Sequence, residues 1–225
     1  MNQFSPTQNK LVFLFDVDNT LLDHDQVTAD LRKHLDSQVG VGQAKKYWEM
    51  FEELRGELGY ADYLGALQRY RLAFPRDPHL LIVSQFLIHY PFTQRLFPGA
   101  VEAVRHVERW GTSVILSDGD VVFQPHKIQT SGLQEVFGSR ALIYIHKEKE
   151  MDHVQERFPA EHYVLIDDKL RILAAVKATL GTRVTTIFVR QGHYAMDSQA
   201  ISKFPQADVT LEKIGDLATH DFSCL

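Results

Sequence analysis

Short β-rich runs occupy five places in the chain, at residues 11–17, 113–117, 141–145, 163–167 and 185–190. Each is apolar at consecutive positions and does not alternate with polar residues, the pattern required of strands covered on both faces. Helical patterns separate the later runs. Pro98-Gly99 opens one with Val101, Val104 and Val107 on a single stripe, and Leu170, Leu173, Ala174 and Lys177 mark another that Gly181 can cap. Strand alternating with helix predicts a parallel α/β sheet.

The interval between the first two runs breaks this rhythm. Residues 24–92 carry no strand signal, while Trp48, Phe51 and Leu54, then Tyr60, Tyr63, Leu64 and Leu67, recur at helical spacing. The pattern predicts an all-helical subdomain over residues 24–92, joined near Asp23 and left near Pro91, with its aromatic stripes forming its own core. Residues 1–23 and 93–225 then make up the α/β core.

Composition narrows the function classes. The 225 residues are 44% hydrophobic, enough to bury a sizeable core, and the formal charge of −5 disfavours a nucleic-acid binder that relies on overall positive charge. The single cysteine, Cys224, permits no internal disulfide. Residues 1–10 are polar and lack a basic stretch followed by an apolar one, so no secretory signal is expected, and no run is long enough to span a bilayer. The expectation is a cytoplasmic protein that handles a small molecule as a monomer or homodimer, without a nucleic-acid or membrane partner.

The chemistry is carried by Asp16-Val17-Asp18-Asn19-Thr20-Leu21-Leu22, directly after the first apolar run. Open parallel sheets bind ligands at the carboxyl ends of their strands. In extended backbone, residues two apart point the same way, so Asp16 and Asp18 should both face that crevice. Later strand ends add Ser117, a hydroxyl beside the backbone amides near Gly119; Lys147, a point cation; and Asp167-Asp168, two further carboxylates. Carboxylates about 4 Å apart repel by about 4 kcal/mol at an effective dielectric of ~20. Their convergence therefore implies a cation, and an all-oxygen set suits Mg²⁺. The 11 histidines show no zinc spacing.

These residues, in this order, resemble the four motifs of the haloacid dehalogenase superfamily, whose members are mostly phosphatases. The resemblance covers roughly residues 10–24 and 93–190. It implies a three-layer, Rossmann-like α/β core with an inserted helical cap. By the same resemblance, Asp16 is the nucleophile that becomes an aspartyl-phosphate, and Asp18 is the general acid and then base. Mg²⁺ is held by the Asp16 carboxylate, the Asp18 main-chain carbonyl and Asp168, with Asp167 in support. Thr20, Ser117 and Lys147 hold the phosphoryl oxygens of a small phosphorylated substrate.

Two features depart from the family pattern. Lys147 is followed by Glu148-Lys149-Glu150 in place of a proline-containing turn, which leaves Lys149 as a rival for the phosphate lysine. Asp118 and Asp120 flank Gly119, and if they face the pocket they should oppose strongly anionic substrates such as polyphosphates or sugar bisphosphates. Other readings share the motifs. A phosphomutase uses the same groups. A 2-haloacid dehalogenase attacks carbon with the first aspartate and needs neither the second nor a metal. A non-catalytic binding protein would be expected to have lost a catalytic group. Residues 190–194 lie at the correct sheet edge to approach the crevice.

Overall fold

The computed structural model describes residues 9–225; residues 1–8, most of the polar N-terminal segment, lie outside the described residues. In chain order the elements are β1 (Asn9–Phe15), α1 (His24–Gln38), α2 (Val41–Leu58), α3 (Tyr63–Ala73), α4 (Leu80–His89), α5 (Ala100–Val107), β2 (Thr112–Asp118), α6 (Phe123–Thr130) and α7 (Leu133–Phe137). They continue with β3 (Ala141–Tyr144), α8 (Met151–Arg157), β4 (Ala160–Asp167), α9 (Leu170–Leu180), β5 (Val184–Val189), α10 (Gly192–Met196), α11 (Ser198–Ile201) and β6 (Val209–Leu211).

The six strands among the described residues run parallel in the order β3-β2-β1-β4-β5-β6. The chain therefore moves outward from β1 in one direction and returns to build on its other side at β4. Ligand crevices of open α/β sheets form at such a reversal, beyond the carboxyl ends of the strands. The central strands are buried on both faces. Phe13 and Phe15 of β1, Val164 and Ile166 of β4 and Ile187 of β5 face one apolar layer, and Val12, Leu14, Tyr163, Leu165 and Phe188 face the other. Each such side chain contributes ~1.5–3 kcal/mol when taken fully from water.

The five expected strands are present. The sixth, β6, is a three-residue edge strand whose exposure alternates, too short to leave a periodic signature. The stripe on α5 buries Val104 and Val107, and Gly181 ends α9 with a φ of 58°. Residues 24–92 hold four helices and no strand. Asp23 caps α1 by accepting from the Gln26 amide, and Gly59 ends α2 in the left-handed region.

The apolar interior of these four helices differs from the expectation of a separate core. Tyr47, Trp48, Phe51 and Tyr63 belong to the same continuous cluster as the β1 face of the sheet. Aromatic rings bridge the two regions: Phe51 stacks on Tyr63 at 4.7 Å, Tyr63 meets Phe123 of α6 at 5.7 Å, and Phe123 meets Phe92 at 5.8 Å. Among the described residues no helix is long and apolar enough to cross a membrane.

Candidate active site

β1 stops at Phe15, and the chain then turns sharply. The amides of Thr20, Leu21 and Leu22 all donate to the Val17 carbonyl. Asn19 makes the turn with a φ of 62°, a conformation asparagine tolerates better than most residues. Its side-chain oxygen accepts from the amides of His24 and Asp25 and its Nδ2 donates to Asp25, so the loop after β1 and the start of α1 are one unit.

The structure brings the sequence-predicted residues together. Asp16 is 2% exposed; its Oδ2 accepts from Thr20 Oγ1 at 3.1 Å and its Oδ1 from Lys147 Nζ at 2.5 Å. Lys147 Nζ also lies 2.7 Å from Asp167 Oδ2. Burial opposes the charge on Lys147, but Asp16, Asp167 and Asp118 outweigh it and hold the ammonium firmly protonated. Lys149, the rival lysine, is exposed, whereas Lys147 is buried against Asp16 and Asp167. The turn after β3 is a short 3₁₀ segment that points Lys147 inward, while Glu148 pairs with Arg171 of α9 at 2.7 Å.

Carboxylate oxygens of Asp16, Asp167 and Asp168 all lie within 4.8 Å of one another. Asp167 is partly satisfied by Lys147 and by the Lys169 amide at 2.8 Å. Asp168 is not: both its oxygens are buried with no hydrogen-bond partner among the described residues. Burial first, and then the charges of Asp167 and Asp16, push its carboxyl well above the usual range, against a partial offset from Lys169.

Asp18 has different company. Lys127 Nζ sits 2.7 and 2.8 Å from its two oxygens, and His24 Nδ1 lies 3.3 Å away. Burial alone would raise its carboxyl, but the charges and hydrogen bonds of His24 and Lys127 hold it far below the usual range. Asp18 lines a cavity of about 1250 Å³ between the sheet and the four helices, with Trp48, Arg55 and Tyr60 on the helical side. Asp16 does not line it. The expectation that both carboxylates face the crevice is therefore met by Asp18 alone, because Lys147 and Thr20 cover both oxygens of Asp16.

One expectation at the second motif is corrected. The Gly119 amide is not free for phosphate; it donates to the Tyr144 carbonyl at 2.9 Å. Ser117 is buried, with Oγ accepting from Gln124 Nε2 at 2.9 Å. Of the two extra carboxylates, Asp118 borders the cavity and accepts from the Lys147 amide, whereas Asp120 accepts from the Val122 and Phe123 amides in the turn before α6.

Residues 190–194 do reach the site. Gln191 donates to the Asn19 and Thr20 carbonyls, His193 binds Asp25 through its amide and Nδ1, and the Tyr194 hydroxyl meets Arg55 of α2. Sequence reasoning missed Lys127, Gln124 and His24, and read Tyr63 only as part of an aromatic stripe. His24 offered one weak signal, standing just past Asp23; Lys127 and Gln124 offered none.

No protein-family model and no curated protein matches the chain. Solved structures do. A protein from Burkholderia xenovorans LB400, assigned to the haloacid dehalogenase-like hydrolases, is 61% identical, with 95% of this chain and 99% of that one covered and a TM-score of 0.92. An L-2-haloacid dehalogenase from Xanthobacter autotrophicus with chloropropionic acid covalently bound is 18% identical, with 94% and 97% covered and a TM-score of 0.60. A HAD hydrolase from Bacillus subtilis bound to magnesium is 17% identical, with 93% and 97% covered and a TM-score of 0.60. The last two share the fold; the first, over nearly the whole of both chains, shows that this protein belongs to the haloacid dehalogenase-like hydrolases.

Proposed function

We propose that this hydrolase is a Mg²⁺-dependent phosphohydrolase that cleaves a small phosphate monoester through an aspartyl-phosphate on Asp16. The observation that carries the reading is Asp168: a carboxylate buried among two others, with neither oxygen satisfied. At 4.8 Å a pair of such charges repels by ~3.5 kcal/mol at an effective dielectric of ~20; Lys147 bonds Asp16 and Asp167 but not Asp168, and Lys169 and Lys147 together offset the three carboxylates only in part. An all-oxygen donor set short of positive charge fits a hard divalent cation. Asp16, Asp168 and the Asp18 main-chain carbonyl would hold Mg²⁺, with Asp167 steadying the set from its bond to Lys147. Bound there, the ion would neutralise phosphoryl oxygens so that one anion can attack another.

The chain's own groups supply the rest. Asp16 attacks phosphorus once the ester draws Thr20 and Lys147 off its two oxygens. Lys147, Thr20 and Ser117 take the phosphoryl oxygens. Asp18 protonates the departing oxygen and then receives the proton of the hydrolytic water. Lys127 and His24 hold Asp18 as the carboxylate, the form the second half-reaction uses. A phosphate ester arriving beside it brings negative charge that raises its proton affinity, as the first half-reaction requires.

The alternative is attack of Asp16 on carbon, as in a 2-haloacid dehalogenase, and the fold is shared with such enzymes. That chemistry leaves a buried, unpartnered Asp168 and a tightly held Asp18 without a role. Purified protein should release phosphate from p-nitrophenyl phosphate with Mg²⁺, lose that activity in EDTA, and lose it in D16N with the fold intact. Chloride release from 2-chloropropionate without phosphatase activity would overturn the reading in favour of the dehalogenase.

A further inference from the structure

Lys127 lies on α6, outside every motif, yet its side chain is 1% exposed. Its ammonium contacts both oxygens of Asp18, Gln124 Oε1 at 2.8 Å and His24 Nδ1 at 3.3 Å. Burying an ammonium and restricting its long side chain is costly unless the geometry returns that cost. Here it does so through a two-point grip on a single carboxylate, which fixes both the position and the rotation of that group.

The grip is tied in at both ends. Gln124, three residues earlier on the same helix, accepts from Lys127 and donates to Ser117 Oγ at 2.9 Å. His24 Nε2 meets the Tyr63 hydroxyl at 2.9 Å, and that hydroxyl meets Thr28 Oγ1 at 2.7 Å. A single hydrogen-bonded chain therefore runs from the end of β2, through Gln124, Lys127, Asp18 and His24, into the helices that form the far wall of the cavity.

We propose that Lys127 is a positioning residue for Asp18: its two-point bond sets the carboxylate at the place where the leaving oxygen and then the hydrolytic water must meet it, in register with Ser117 and with the helical wall. The inference rests on the phosphohydrolase reading. In the first step an Asp16 oxygen bonds to phosphorus, the bond from phosphorus to the leaving oxygen breaks with its electron pair on that oxygen, and the proton that Asp18 takes up from water as the anionic ester binds passes to it. A strongly basic leaving oxygen needs that proton; a weakly basic one departs without it. Misplacing Asp18 therefore penalises poor leaving groups selectively, whereas general damage to the site penalises all of them.

The test is kcat/KM for K127M and wild type over phenyl phosphates of one shape, from p-nitrophenyl to p-methoxyphenyl. General acid catalysis is worth roughly 10²–10⁴-fold. The expected result is a loss of about a hundredfold for the p-methoxyphenyl ester and under about tenfold for the p-nitrophenyl ester. An equal loss across the series, or none, overturns the proposal. K127Q, which retains one hydrogen bond, replaces K127M if thermal melting shows the latter unfolded. A wild type inactive on every ester sinks the phosphohydrolase reading instead. Crystal structures of wild type and variant then decide the grip alone: an Asp18 carboxylate displaced on an unchanged backbone supports it, and one left in place refutes it.

Discussion

Replacing Asp168 with Asn removes a charge and almost no volume, so its effect isolates the electrostatics of the acidic cluster. In the metal-free protein Asp168 faces Asp16 and Asp167 within 4.8 Å, about 3.5 kcal/mol of repulsion per pair at an effective dielectric of ~20, offset in part by Lys169 and Lys147. A ceiling follows from proton linkage. Because burial and its acidic neighbours raise this carboxyl, it destabilises the folded state above its unfolded value of ~3.9, and at pH 7 the penalty cannot exceed about 4 kcal/mol, since the group then takes up a proton. Metal-free D168N should accordingly be about 2–4 kcal/mol more stable than wild type at pH 7, or roughly 5–15 °C in Tm for a chain of this size. The advantage should shrink as pH falls towards 4, where the unfolded carboxyl is protonated as well. Mg²⁺ should act oppositely on the two proteins. At a hundred times its dissociation constant it stabilises wild type by about 2.7 kcal/mol, whereas D168N should gain little. Differential scanning fluorimetry with EDTA and over a Mg²⁺ series reads both effects. Coincident melting of the two metal-free proteins, together with equal Mg²⁺ responses, would refute both the charge argument and the placement of the ion.

Four further substitutions probe the surroundings. K147M should cost about 3–5 kcal/mol by leaving Asp16 and Asp167 buried without their cation, while K149A, at an exposed position, should stay within about 0.5 kcal/mol; urea unfolding of both reads the difference. Gly192 has a φ of 71°, and a Cβ there would lie 2.5 Å from Asn19 Cβ, so G192A should push on the nucleophile loop, cost roughly 1–3 kcal/mol and lower Tm and turnover together. Asp25 is drawn up by burial but held down to about 2 by its bonds from His193 and Asn19. Its contribution is present above pH ~4 and lost as pH falls towards 2; being half exposed, it is worth under about 1 kcal/mol. The unfolding free energy of D25N should therefore lack that part of the wild-type decline between pH 4 and 2.

The sheet was legible because a strand covered on both faces is apolar at consecutive positions, and four of its strand ends carry polar residues that burial alone does not explain. Asp16, Ser117, Lys147 and Asp167-Asp168 each follow an apolar run, and strand order places those ends on one rim. β6 was not legible, since three residues at an edge carry too little periodicity to rise above loop sequence. The aromatic stripes at Trp48, Phe51 and Tyr63 correctly signalled buried helix faces. Spacing along a helix cannot say what a face packs against, and here the rings continue through Phe123 into the sheet layer.

The groups around Asp18 were hidden for a further reason. A motif records residues whose separation in sequence is fixed by one local turn, as Asp16, Asp18 and Thr20 are. Lys127 reaches Asp18 across 109 positions, and the α6 segment Phe-Gln-Pro-His-Lys-Ile gives no sign that its lysine points inward. Only the fold makes that lysine unusual, by excluding water from an ammonium that sequence statistics assign to the surface. The Asp16 carboxylate can thus be read from the chain, because strand geometry dictates its place. The partners that hold the Asp18 carboxylate cannot, because helix packing dictates theirs. Gln124, Lys127, His24 and Tyr63 join the end of β2 to the helical wall through packing alone, and no local spacing in the sequence records them.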